Sequence, residues 1–244
     1  MKKNMKWSQD RETFQSLHGR QKLQYIWDYY KLPLAVLCIF LYIIGYILYG
    51  HFTHKETLLC AALVNVSAGE TLTEQLNTGF LDFTGADRKK EQLELYTGLY
   101  LTDDENSPYH EYTYASRMKI LASINSKELD VVLMNKEAFD SFSQNGYLCN
   151  LEELLAAEDA SLYDRLKPYL ITNTIILEDN SVDMVLDPSV AYEAVTEEYP
   201  VGLDLSRTGR VSKAGFDDAV YLGIIANSPR KDAAVDYVRY LISD

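Results

Sequence analysis

The chain has 244 residues, with 23 Lys and Arg against 36 Asp and Glu and a formal net charge of −13. At 47% apolar and 12% aromatic residues it is too hydrophobic for global disorder, and it has no basic excess with which to neutralise nucleic-acid phosphates. Three cysteines are too few for a disulfide framework or a structural zinc site.

The basic residues gather at the start. Residues 1–31 hold seven Lys and Arg and three acids, a net of +4, while residues 56–244 carry a net of −18. Within the tail, Leu23, Ile26, Trp27 and Tyr30 recur at helical spacing. They read either as an interfacial amphipathic helix or as the cytoplasmic end of a longer one. An uncharged run follows, beginning at Leu32 and extendable through Phe52. It is long enough to cross a bilayer core of roughly 30 Å. A 31-residue basic leader and the lack of a small-residue cleavage pattern after Tyr49 favour an uncleaved signal anchor over a removable signal peptide. Cys38 follows Leu37, which does not suit lipoprotein processing. The charge asymmetry places the N-terminus in the cytoplasm and the acidic part outside. The expected organisation is a cytoplasmic tail (1–31), a bilayer-spanning anchor (32–52) and an extracytoplasmic domain (56–244).

The outer part alternates strand and helix patterns. Residues 58–66 form an apolar run that reads as a strand buried on both faces. Leu72, Leu76, Phe80 and Phe83 mark one helix face, and residues 92–101 a second strand. Ser107 and Pro108 read as a helix start, with Tyr114, Met118, Leu121 and Ile124 as its buried stripe. Residues 129–134 are a third strand, after which Asn135 caps a helix carrying Phe139 and Phe142 that Gly146 ends. Residues 148–155 and 162–170 read as short helices. Residues 171–177 and 182–186 read as a hairpin turning at 178–181, and 200–205 as a further strand. A strand at 220–226 and a helix capped by Ser228 and opened by Pro229 close the chain. Ala234, Val235, Val238, Leu241 and Ile242 line that helix's inner face. The predicted fold class is α/β, a mainly parallel sheet with helices on both faces and a small inserted subdomain.

Two segments resemble extracytoplasmic solute-binding proteins of bacterial ABC transporters. One runs from Ser126 to Leu155, through Leu129-Asp130-Val131-Val132-Leu133-Met134, Ala138-Phe139 and Gly146-Tyr147-Leu148. The other runs from Tyr221 to Ser243 and is similar to that family's returning strand and final helix. The resemblance implies a solute-binding, periplasmic-binding-protein-like ancestry in a reduced, membrane-anchored form, because only residues 147–219 remain where the family has a full second lobe. It also implies a small solute as ligand and a transporter or sensor as partner.

The residues themselves supply no recognisable catalytic set. His110 stands alone among the histidines of the outer part beyond the anchor flank, where His51 and His54 lie three apart. No metal or cofactor motif appears. Asp103, Asp104, Glu105 and Asn106 read as a solvated turn, since calcium-loop spacing is missing. Cys60 and Cys149 lie where a disulfide is permitted, although buried free thiols are the default for such positions. In an open sheet a ligand sits beyond the strands' carboxyl ends. Those ends supply Asn65, Ser67, Thr102 and Asn135 as candidate ligand-binding residues, with Tyr100 and Tyr147 as stacking surfaces. The expectation is a non-enzymatic binding module without a cofactor. The alternative is an envelope protein–protein interaction module that has lost its small ligand.

Overall fold

The computed structural model describes residues 19–53, 55–187, 189–206, 208–212, 216 and 218–243. The chain divides into two compact units, Met1–His54 and Lys55–Asp244.

In the first unit the described residues form one helix, α1, which spans Arg20–Thr53 with Pro33 inside it. Its segment Lys31–Tyr49 has a mean hydropathy of 2.4 and none of it is buried, so its length and composition suffice to cross a membrane. The helix is unbroken from Arg20, so residues 23–30 are the beginning of this longer helix and not a separate one. His54 lies outside the described residues.

The second unit begins with β1 (Glu56–Val64). Its side chains alternate with period 2: Leu59, Ala61 and Leu63 join one buried cluster, and Cys60, Ala62 and Val64 join another. Both faces are therefore core, which explains the continuous apolar run. The next helix, α2 (residues 70–84), comprises Glu70–Glu74, a π-turn at Gln75–Gly79 and Phe80–Thr84. The wider π-turn shifts the phase of the apolar stripe, so Leu81 is buried and Phe83, expected inside, is 48% exposed. Then come β2 (Glu91–Leu99), α3 (His110–Asn125), β3 (Val131–Met134) and α4 (Lys136–Gln144). They are followed by α5 (Leu151–Glu158), α6 (Ala160–Leu166), β4 (Leu170–Asp179) and α7 (Ser181–Leu186). The last elements are β5 (Ala194–Asp204), α8 (Gly209–Ser212), β6 (Tyr221–Ile224) and α9 (Lys231–Ile242).

The six strands form one sheet in the order β2-β1-β3-β6-β5-β4. The α/β class is as predicted, with α2, α5, α6 and α9 contributing to the cluster on one face and α3 and α4 to that on the other. The parallel arrangement holds for β2-β1-β3, whereas β6, β5 and β4 pair antiparallel. The difference follows from the connections. Helical crossovers return the chain to run parallel, but β4 and β5 are paired as an antiparallel hairpin.

Two local expectations change. Residues 182–186, read as a strand, form α7, and the partner of β4 is the longer β5. In α3, the buried positions are Thr113, Ser116, Ile120, Ser123 and Ile124, whereas Tyr114 is 76% and Met118 52% exposed. Hydroxyls replace apolar groups on the inner face because the backbone beyond β2 needs acceptors. Ser116 Oγ accepts the N–H of Tyr100 at 3.0 Å, and Thr113 Oγ1 accepts that of Thr102 at 3.3 Å.

A buried ion pair ties the opposite, amino end of β3. Asp130 is fully buried and accepts from the Cys60 N–H at 2.7 Å, Ser228 Oγ at 2.6 Å and Arg230 Nε at 2.8 Å. Ser228 and Pro229, expected to cap and open the last helix, stand before it instead: α9 begins at Lys231 with Arg230 at its N-cap and no side chain capping it, because the Ser228 hydroxyl is committed to Asp130 while its Oγ accepts the Arg230 N–H at 3.1 Å.

Candidate functional site

The chain leaves β1 towards β2 on one side and returns to β3 on the other, so the connection changes direction at the carboxyl end of β1. Such a switch point opens a crevice between the loops. Asn65 and Asn135, the first residues beyond β1 and β3, flank it.

Asn65 adopts a left-handed conformation, φ 56°, which asparagine tolerates better than branched residues. This turns its amide across the strand ends. Asn65 Oδ1 accepts the Leu101 N–H at 2.8 Å, while Nδ2 donates to the Leu101 carbonyl at 2.6 Å and to Asn135 Oδ1 at 3.1 Å. Asn135 Oδ1 also accepts the Ala138 N–H at 3.0 Å, capping α4. The sheet thus brings Asn65 and Asn135 together and spends much of their hydrogen-bonding capacity internally. Asn135 Nδ2 makes no hydrogen bond among the described residues. Thr102 lies on the adjoining loop, its Oγ1 accepting the Asp104 N–H at 3.2 Å. Ser67 is exposed two residues beyond Asn65 and is not drawn into this network.

Beside this junction, between α3 and α4, lies a cleft of about 540 Å³. Leu101, Ile120, Leu121 and Phe142 give it an apolar floor. Its polar wall comes from Asp103 and Arg117 on one side and Glu137 and Asp140 on the other, with Asn145 and Tyr147 at the far end. The walls are linked: Arg117 pairs with Asp103 at 3.5 Å, and Glu137 Oε1 accepts the Asp103 N–H at 3.2 Å. Lys136 pairs with Asp140 on α4, and Asn173 Nδ2 of β4 donates to the same carboxylate at 2.8 Å. Tyr147 stands edge-on to Phe142 at 5.8 Å. Tyr100, the other candidate stacking surface, is occupied by Tyr109, parallel to it at 4.2 Å.

Of the cleft's polar residues, sequence reasoning singled out Asp103 and Tyr147 but missed Arg117, Glu137 and Asp140. Each sits on the outer side of a helix, where a charge reads as ordinary solvation. The only available signal was position, since Glu137 and Asp140 lie in the first turns after the strand-ending Asn135.

The remaining titratable groups lie apart from the cleft. Burial first, and then the Asp130 carboxylate, push the Cys60 thiol up to about 12. Burial pushes Cys149 up to about 11. Both are free cysteines and belong to the clusters on opposite faces of the sheet, so they are packed as apolar side chains and stay protonated at neutral pH. His110 is exposed at the start of α3. Among the described residues, no group of three or more His, Cys, Asp or Glu is placed to hold a metal ion.

Neither a family model nor a curated relative matches the chain. Among solved structures, it is similar to a substrate binding domain described as that of a molybdenum ABC transporter from Clostridium difficile. The identity is 9% and the TM-score 0.34, over 78% of this chain and 93% of that one.

Proposed function

We propose that this chain is a membrane-anchored, non-enzymatic binding module whose outer domain takes a small solute and serves a transporter or sensor in the same membrane. The observation that carries the reading is the cleft between α3 and α4. Its volume of about 540 Å³ falls in the range of small-molecule sites, and polar groups converge over an apolar floor. On this reading Asn65, Ser67, Thr102 and Asn135 form the strand-end rim of the site, with Asn135 Nδ2 as its open donor. Arg117, Glu137 and Asp140 orient the ligand. The anchor is the apolar segment of α1, with the basic tail inside the cell and the acidic domain outside. The resemblance of residues 126–155 and 221–243 to extracytoplasmic solute-binding proteins agrees with this assignment.

The test is thermal unfolding of the full chain in detergent, screened against sugars, amino acids, peptides, nucleotides and oxyanions. A ligand at about one hundred times its Kd adds roughly 2.7 kcal/mol. That raises Tm by roughly 5–10 °C for a domain of this size. The expected result is a shift with one chemical class that disappears in Ile120→Trp, which fills the cleft. A flat screen on a cooperatively melting protein, or a shift that Ile120→Trp leaves intact, overturns the assignment.

A further inference from the structure

The β4–β5 hairpin ends in a surface that neither the core nor the cleft uses. β6 meets β5 only at Leu203 and Asp204, so the rest of β5 pairs with β4 alone and the hairpin continues as a two-stranded arm. β4 is also the last strand of the sheet. At the end of this arm Leu177, Val182, Val185, Leu186, Tyr192 and Val195 are each more than 50% exposed. Three of them, Val182, Val185 and Leu186, stand at i, i+3 and i+4 on α7 and form one apolar stripe along that helix. Isolated exposed leucines need no explanation, but a contiguous apolar group on a projecting element marks a contact surface.

Charge selects the occupant. Residues 168–206 contain eight Asp and Glu and no Lys, Arg or His. Glu178, Asp179, Asp187, Glu193, Glu197, Glu198 and Asp204 belong to no ion pair among the described residues. Asp179 and Asp187 are held instead by the hydroxyls of Ser181 and Ser189, at 2.6 and 2.7 Å. A second copy of the chain would set two such acidic arms against each other, and an anionic lipid leaflet would repel the arm in the same way. A surface that buries the stripe while placing cations round it gains apolar burial and charge complementarity together.

We propose that the arm tip docks into an apolar groove rimmed by lysine and arginine on a second protein. This surface is independent of the cleft, so the two assignments stand or fall separately.

The test uses the full chain in phosphatidylcholine nanodiscs, with Cys38→Ser and Val185→Cys, and an environment-sensitive fluorophore on the new thiol. The probe is a short peptide alternating lysine with leucine, and its control carries glutamate for lysine. The expected result is a saturable blue shift with the lysine peptide at least about tenfold tighter than with its control. Its affinity falls between about 50 and about 300 mM salt, as screened ion pairs require. Adding Val182→Ser and Leu186→Ser, both at exposed positions that leave the core untouched, weakens it by at least about tenfold. No response, equal responses to the two peptides, or unchanged affinity in the serine variant overturns the proposal. So does a blue shift before peptide is added, which assigns the tip to lipid if it strengthens with anionic lipid, or to a second copy if it grows with protein concentration.

Discussion

Gly202 lies under the ring of Phe139, and this contact fixes where α4 rests on the sheet. A Cβ at position 202 would sit 2.4 Å from Cε2 and 2.7 Å from Cζ of that ring. Carbon atoms settle about 3.5–4.0 Å apart, so Gly202→Ala creates an overlap of roughly 1 Å. The ring has little room to yield. Phe139 is fully buried and stacks on Tyr221 at 5.0 Å with 10° between the planes. Overpacking of this kind costs about 1–3 kcal/mol. At roughly 2–4 °C per kcal/mol, the expected fall in Tm is about 2–12 °C. Thermal unfolding of the full chain in detergent, followed by near-ultraviolet circular dichroism of the tyrosines, measures it. Because α4 carries Glu137 and Asp140, the displaced ring also moves one wall of the cleft. Phe139→Leu removes the clashing atoms, so the double variant loses less stability than the two single changes added together, by at least about 0.5 kcal/mol. A wild-type Tm in Gly202→Ala, or strict additivity in the double variant, refutes the reasoning.

Asp130→Ala leaves the Arg230 guanidinium, the Ser228 hydroxyl and the Cys60 N–H without their shared acceptor, and the expected loss is about 3–5 kcal/mol in urea unfolding. A loss under about 1 kcal/mol would mean that water replaces the carboxylate. Asn65→Ala removes the amide that joins Leu101 to Asn135 and should cost about 1–3 kcal/mol, with faster hydrogen exchange at the Leu101 N–H as the local readout. Asp159 is held below the usual carboxylate range by the Leu162 N–H and then the Ser161 hydroxyl, with Arg239 adding to them. Its depressed value means that its stabilisation is present above about pH 4 and is lost as pH falls through the folded-state value. The Tm gap between wild type and Asp159→Asn should therefore hold from neutral pH down to about 4 and close below it; a gap that persists in acid assigns the effect to shape. Cys60 and Cys149 should resist iodoacetamide in the native protein at about pH 8 and react in denaturant, because burial raises both thiols. Rapid native labelling of either would contradict its packing.

The alternation of apolar runs with helical stripes was enough to predict the α/β class, because a strand buried on both faces has a local signature. Cys60 to Val64 shows it, each residue committed to one face or the other whatever the sheet order. The Asn135 cap and the left-handed Gly146 that follows α4 are equally local, being set by side-chain and backbone preference within a few residues. The stripe of α3 was not legible, since the groups that need Thr113 and Ser116 are backbone donors at Tyr100 and Thr102, reached only after folding. The apolar pattern at 182–186 fitted a strand as well as one short helix. Its exposure at the arm tip removes the burial that would have distinguished them.

The candidate site divides in the same way. Sequence alone determined the uncharged segment, the charge asymmetry on either side of it, and the residues that end each parallel strand, because these depend on order along the chain. Tertiary structure decided that Asn65 and Asn135 meet and hydrogen-bond, and that Arg117, Glu137 and Asp140 line one cleft. It also decided that the sheet turns antiparallel beyond β3 and carries an acidic, apolar-tipped arm. Those outcomes rest on contacts between residues far apart in sequence, where the direction of a strand and the pitch of a helix determine which side chains share a space.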